Sequence, residues 1–278
     1  MNEIKIAILD LYNGEENQGI RCIKDIIKET NDRFSEINVS YHLFDVRANN
    51  EIPDLNYDIY ISSGGPGSPF EGKGSNWEKM YFGLLSNIDF HNERVDEKKF
   101  VFFICHSFQL MARHYNFAKV SNRHSPSFGI MEVNKVSNGF AEPLLQKLDD
   151  PFYGADFREY QVIQPRFDVL NRLGARIIAI EKERAHVNYE RAIMGVRISE
   201  EIVGLQFHPE ADPASMLYHL HKPERKQQVI KKYGEKKYYD MINLAEDPNA
   251  LLRTRNNVLP EFLNISIKKI ISKKVICH

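Results

Sequence analysis

Three short segments of the sequence bring together a cysteine, a histidine, a glutamate and a glycine-rich turn, the parts needed for nucleophilic attack on an amide. In Phe100-Val101-Phe102-Phe103-Ile104-Cys105-His106-Ser107-Phe108-Gln109-Leu110-Met111 an apolar run leads straight into Cys105, and an amphipathic stretch follows. A strand-to-helix elbow of this kind presents its central side chain at the carboxyl edge of a sheet, where a helix N-terminus favours a thiolate. Alone, a cysteine after an apolar run is more often a buried structural residue. In Val203-Gly204-Leu205-Gln206-Phe207-His208-Pro209-Glu210 a strand-like run ends in a histidine with a glutamate two residues on. Around the rigid proline both side chains can face one site, so that Glu210 orients His208 and stabilises its cation while His208 activates a nucleophile. A lone histidine here would more often be a packed or surface residue.

The third segment, Ile59-Tyr60-Ile61-Ser62-Ser63-Gly64-Gly65-Pro66-Gly67-Ser68-Pro69, is a strand ending in a glycine-proline loop. Its amides can approach a ligand closely and hold an oxyanion; an ordinary turn is the plainer alternative. Gly67 to Lys73 also has the G-x₄-G-K spacing of a phosphate loop, but Gly74 stands where a magnesium-binding Ser or Thr is needed, so a nucleotide site is discounted. What raises the chemical reading is co-occurrence of all three segments at strand ends, because in an open sheet such ends converge.

The elements that must position these residues follow from hydrophobic rhythm. Short apolar runs predict strands at Ile4–Leu9, Val39–Phe44, Ile59–Ser62 and Phe100–Ile104, with helices over Gly19–Thr30, over Trp77–Leu85 and directly after Cys105. That alternation implies an open, mainly parallel α/β sheet with helices on both faces. Further strands at Gly129–Val136, Arg176–Glu181, Ala192–Arg197 and Ile202–Phe207 suggest an antiparallel extension of it. After Glu210 the strand signals stop, and Pro213, Pro223, Pro248 and Pro260 punctuate segments of helical spacing such as Lys236–Leu244 and Glu261–Ile271. The expected division is therefore a domain over 1–212 and a helical C-terminal extension over 213–278.

The 278 residues carry 37 Lys and Arg against 38 Asp and Glu, which argues against a protein whose business is nucleic acid. The near-neutral total conceals an asymmetry: residues 211–278 hold 13 basic and 7 acidic side chains, and residues 1–210 hold 24 and 31. Three scattered cysteines, Cys22, Cys105 and Cys277, fit a reducing compartment better than a disulfide framework. No signal peptide and no apolar run long enough to span a membrane is read, so a cytoplasmic protein is expected. Cys22, beside the Ile20, Ile23, Ile26 and Ile27 stripe, reads as apolar filler. His219 with His221, and Cys277 with His278, make no convincing metal set, and no metal or cofactor is expected. Lys231, Lys232, Lys236 and Lys237 read as a solvated cationic face more readily than as a docking surface.

Over about residues 4–212 the glycine loop Ser62–Pro69, the cysteine elbow ending in Gln109, and Phe207-His208-Pro209-Glu210 resemble, in order and spacing, the class I (triad-type) glutamine amidotransferases, GMP-synthase-like domains in particular. The resemblance implies a flavodoxin-like fold and a Cys105, His208, Glu210 triad. It implies an oxyanion hole from the N–H groups of Gly65 and His106, and contacts to the glutamine amino-acid moiety from Gln109 and the main chain near Phe128 and Gly129. The implied activity is release of ammonia from glutamine through a γ-glutamyl thioester. A separate ammonia-accepting synthetase is the implied partner, since the tail is too small for an ATP-dependent synthetase fold, and a second copy of the chain is another partner it allows. Two departures stand out. The family elbow reads G-x-C-x-G, where this chain has Phe103 and Ser107, and a His-Ser pair of the family falls near Arg158-Glu159-Tyr160, where the match fails. These departures keep two alternatives open: hydrolysis of another γ-glutamyl peptide or conjugate, and a catalytically silent regulatory module that keeps the fold.

Overall fold

The computed structural model describes residues 2–34, 36–186 and 188–276. In chain order its elements are β1 (Asn2–Asp10), α1 (Gln18–Arg33), β2 (Ile37–Asp45), β3 (Ile59–Ser62), α2 (Asn76–Arg94), β4 (Phe100–Ile104), α3 (His106–Tyr115), β5 (Lys119–Lys135), α4 (Ser137–Phe140), β6 (Phe152–Ile163), α5 (Phe167–Leu173), β7 (Arg176–Glu181), β8 (Ile193–Arg197), β9 (Ile202–Leu205), α6 (Pro213–His221), α7 (Pro223–Tyr233), α8 (Glu235–Glu246) and α9 (Leu251–Ile276). The strands form one sheet in the order β2-β1-β3-β4-β9-β8-β7-β5-β6. From β2 to β9 all neighbours run parallel, and from β9 to β6 all pairs are antiparallel. The expected α/β sheet with an antiparallel extension is thus what the chain builds.

The parallel half is buried on both faces, which is why its strands read as continuous apolar runs. Side-chain alternation sorts β1 cleanly: Ile4, Ile6 and Ile8 face one core with α1 and α9, while Ala7 and Leu9 face another with α2 and α3. β4 divides the same way, Phe102 to the first side and Val101 and Phe103 to the second. A smaller third cluster joins α6, α7 and α8 to Ile130 of β5 and Ala155 of β6.

Several expectations are revised. β5 starts ten residues before the expected Gly129, and its hairpin partner β6 was not anticipated at all. The apolar alternation of β6 is broken by Asp156 and Arg158, both buried and bonded to each other, so the strand hides its inward face behind charges. Pro260 does not end a helix. It lies within α9, where burial of Val258, Leu259, Phe262, Leu263 and Ile267 against the first core outweighs the lost amide hydrogen bond. Pro213 and Pro223 instead open α6 and α7 at their first turns, where no amide bond is lost.

Among the described residues no helix is long and apolar enough to cross a membrane, and no three His, Cys, Asp or Glu side chains are grouped to hold a metal ion. The side chain of His219, and Cys277 with His278, lie outside the described residues.

Candidate active site

Sheet order gathers the three segments. β3, β4 and β9 are consecutive neighbours, in register Ser62 to Phe103 and Ile104 to Leu205, so the residues just past their carboxyl ends must meet. β1 and β3 end at the same edge, but the chain then crosses through α1 to β2 on one side and through α2 to β4 on the other, making the crevice where open α/β sheets bind ligands. Cys105 sits at the tip of β4 with φ 50° and ψ −98°, a strained conformation for a non-glycine residue and the one expected of a nucleophile elbow. Its N–H donates to the Leu205 carbonyl at 2.8 Å, and α3 starts at the next residue.

The two elbow departures are accommodated in different ways. Ser107 is fully buried; its hydroxyl accepts the Ile104 N–H and donates to the Ser62 carbonyl, both at 2.7 Å. Phe103 is fully buried in the second core, on the side where α3 crosses the sheet. The close approach comes from its register partner Gly204, where a Cβ would lie 2.8 Å from both Met111 Sδ and Phe108 Cδ2.

His208 follows β9, and its N–H donates to Ala155 O at 2.8 Å, so the unanticipated strand β6 holds the histidine main chain. Its Nδ1 lies 2.8 Å from Glu210 Oε1. Burial favours neutral imidazole, but the Glu210 carboxylate and the neighbouring Cys105 outweigh it and raise the His208 pKa well above its ordinary value. Glu210 is itself almost wholly buried, and its Oε2 has no hydrogen-bond partner among the described residues. The site therefore favours an imidazolium at His208. Gly64 makes room for that ring: a Cβ there would lie 2.6 Å from His208 Cε1.

The N–H of Gly65 makes no hydrogen bond among the described residues, and His106 N–H opens α3 with no carbonyl behind it. The imidazole of His106 is buried, and burial together with Arg47 and Arg113 pushes its pKa down to about 3, so it is neutral. Arg47, which sequence reasoning missed, clamps the loop: its Nη1 donates to Leu11 O at 3.1 Å and to Pro66 O at 2.7 Å. Arg113 does the same further along, bonding Pro69 O and Glu78.

Above these residues opens a cavity of about 630 Å³. Cys105, His106, Gly65, Gln109, Phe128, His208 and Glu210 all line it; Gly129 does not, and its Cα faces Met241 of α8 instead. Gln109 Nε2 donates to Gln206 Oε1 at 3.3 Å, and Gln206 Nε2 approaches the Cys105 carbonyl at 3.4 Å and its sulfur at 3.7 Å. Gln206 was overlooked, although its place two residues before His208, just past a buried strand, was the available signal. Phe157 O lies 3.9 Å from the Cys105 sulfur, and Arg158, Glu159 and Tyr160 also line the cavity. Arg158 is held from behind by Asp156 and by Glu181, which also bonds Arg123. Burial opposes ionisation of Glu181, and Arg123 and Arg158 overcome it, holding its pKa at about 2.

A family model described as glutamine amidotransferase class-I matches residues 20–222. The chain belongs to that family. Among solved structures, a glutamine amidotransferase from Thermotoga maritima superposes with a TM-score of 0.65 at 19% identity, covering 95% of this chain and 98% of its own. A putative GMP synthase subunit from Thermoplasma acidophilum has a TM-score of 0.51 at 19% identity, over 75% and 85% of the two chains. The glutaminase domain of Trypanosoma brucei CTPS with bound acivicin has a TM-score of 0.54 at 13% identity, over 74% and 86%. At these identities the likeness is one of fold. No curated protein matches the chain. In this class-I glutamine amidotransferase family member Cys105 follows β4, and His208 and Glu210 both follow β9, while α7, α8 and α9 lie beyond the matched residues.

Proposed function

We propose that the chain is a cysteine amide hydrolase of glutamine or a related γ-glutamyl amide, with Cys105 as nucleophile, His208 as acid and base, and Glu210 as the partner of His208. The observation that carries this reading is the 2.8 Å contact between His208 Nδ1 and Glu210 Oε1 in the cavity that Cys105 also lines. The Cys105 sulfur attacks the side-chain carbonyl carbon, and the N–H groups of Gly65 and His106 take the developing oxyanion. His208 gives its proton to the departing nitrogen as the C–N bond breaks, leaving a γ-glutamyl thioester. Water, giving a proton to His208, then cleaves the C–S bond and releases glutamate. Gln109 and the main chain at Phe128 hold the amino-acid end, without the expected help of Gly129, which faces Met241.

The domain proper spans 1–212 in this reading, and the extension 213–278 walls the cavity. A separate synthetase is the proposed acceptor of ammonia in the cytoplasm, a reading supported by the likeness to a CTPS glutaminase domain and to a GMP synthase component. The strained Cys105, its open cavity and the Ser107 bonds support an active elbow over a silent module. The test is glutamate release from glutamine and a panel of γ-glutamyl amides by the purified protein beside its Cys105→Ala variant. Equal inactivity of the two across the panel, with candidate synthetases present, would sink the proposal.

A further inference from the structure

The cavity is larger than glutamine needs. Pockets of roughly 300–1,000 Å³ accommodate drug-sized ligands, and 630 Å³ leaves room beyond the ten non-hydrogen atoms of glutamine. The surplus lies toward the C-terminal helices, which contribute Arg225, Lys232 and Tyr233 of α7 to the lining. Tyr233 stacks on Phe128 with ring centroids 5.4 Å apart and planes at 8°, so α7 is seated on the β5 side of the site.

Arg225, Val229 and Lys232 fall on one stripe of α7, because residues three, four and seven apart share a helical face. Val229 is buried in the third cluster, and the exposed Arg225 and Lys232 on either side of it both line the mouth of the cavity. Neither has a carboxylate partner among the described residues: Arg225 contacts Gln228 Oε1 at 3.4 Å, and the Lys232 ammonium lies 5.3 Å from the Tyr233 ring centre. Two exposed carboxylates without a cationic partner among the described residues, Glu15 and Glu159, line the same cavity and suit the α-ammonium of an amino acid.

We infer that Arg225 and Lys232 form a subsite for an anionic group on the leaving amine, so that the preferred substrates are γ-glutamyl amides whose amine carries a carboxylate. This rests on Cys105 being the nucleophile of an amide hydrolase. The chemistry is unchanged: the sulfur displaces the amine, His208 protonates its nitrogen, and water returns glutamate and the free enzyme. The product amine then leaves as an amino acid past α7.

Three compounds separate the possibilities: glutamine, γ-glutamylethylamide with a neutral leaving amine, and γ-glutamylglycine with a carboxylate on it. Calorimetric titration of full-length Cys105→Ala measures binding without turnover, and glutamate release by the unsubstituted protein measures chemistry. The expected result is γ-glutamylglycine binding about tenfold or more tighter than the ethylamide, with that ratio collapsing toward one when Arg225→Ala and Lys232→Ala are added. The same ratio is expected in KM. A ratio near one at the outset, or one that survives loss of both cations, overturns the subsite. An equal loss for both compounds also overturns it, by assigning the cations to the α-carboxylate. A preserved binding ratio with no glutamate from any compound upholds the subsite and fails the hydrolase reading; turnover without the ratio does the reverse.

Discussion

The Ser107 hydroxyl bridges Ile104 N–H and Ser62 O, 2.7 Å from each, so that one side chain fastens the end of β3 to the elbow that follows β4. Glycine at this position, as in the G-x-C-x-G pattern, would leave both groups to find other partners in a fully buried place. Ser107→Ala is therefore expected to destabilise the fold by about 1–3 kcal/mol, the cost of stranding buried polar groups. Urea denaturation measures it, and a loss below about 0.5 kcal/mol would mean the bridge carries no weight.

Cys105 should be the thiol that reacts with a thiol-directed glutamine analogue. Cys22 also lines the cavity, but burial pushes its pKa up to about 11. Mass spectrometry of the labelled protein is expected to locate the adduct on Cys105, and modification of Cys22 in preference would count against the elbow.

Gly64→Ala places a methyl 2.6 Å from His208 Cε1. The ring must move, and displacements of about 1 Å cost on the order of 10²-fold in rate. Turnover of the variant should fall by about that factor with its far-ultraviolet spectrum intact; unchanged kcat would show that the ring does not act from this position.

The pH dependence of stability has a definite sign. The folded-state pKa of His208 is raised above 6.5, so its interaction with Glu210 stabilises fully below about pH 6.5, and the contribution is lost as pH rises through the raised value. Replacing the carboxylate in Glu210→Gln should remove that dependence. The difference in Tm between the two proteins is expected to be greatest near pH 6 and to shrink as pH rises; a difference that grows with pH contradicts the pairing.

Much of the site was legible because its chemistry sits where apolar runs stop. Phe100–Ile104 and Ile59–Ser62 match their strands to the residue, and parallel strands buried on both faces announce themselves in sequence. β6 was illegible for the opposite reason: Asp156 and Arg158 are buried as partners, and no sequence pattern distinguishes a paired internal charge from a solvated one. Arg47 was hidden likewise, since its value lies in reaching two carbonyls, Leu11 O and Pro66 O, on separate loops.

α9 looked like a punctuated tail and is part of the first core. Phe262 meets Phe102 edge to face at 5.0 Å, and Arg255 bonds both oxygens of Glu29 on α1. Phe262→Ala should cost about 3–5 kcal/mol, read by chemical denaturation, whereas a loss under about 1 kcal/mol would mark α9 as loosely attached.

That packing bears on how the protein is made. Ile4, Ile6 and Ile8 share a core with Ile23 and Ile27 of α1 and with Leu259, Leu263 and Ile267 of α9, so the cover on this face of the first strand is completed only when α9 leaves the ribosome. At about 5–20 residues per second, the first core waits on the order of ten to fifty seconds between synthesis of its first strand and arrival of its last helix.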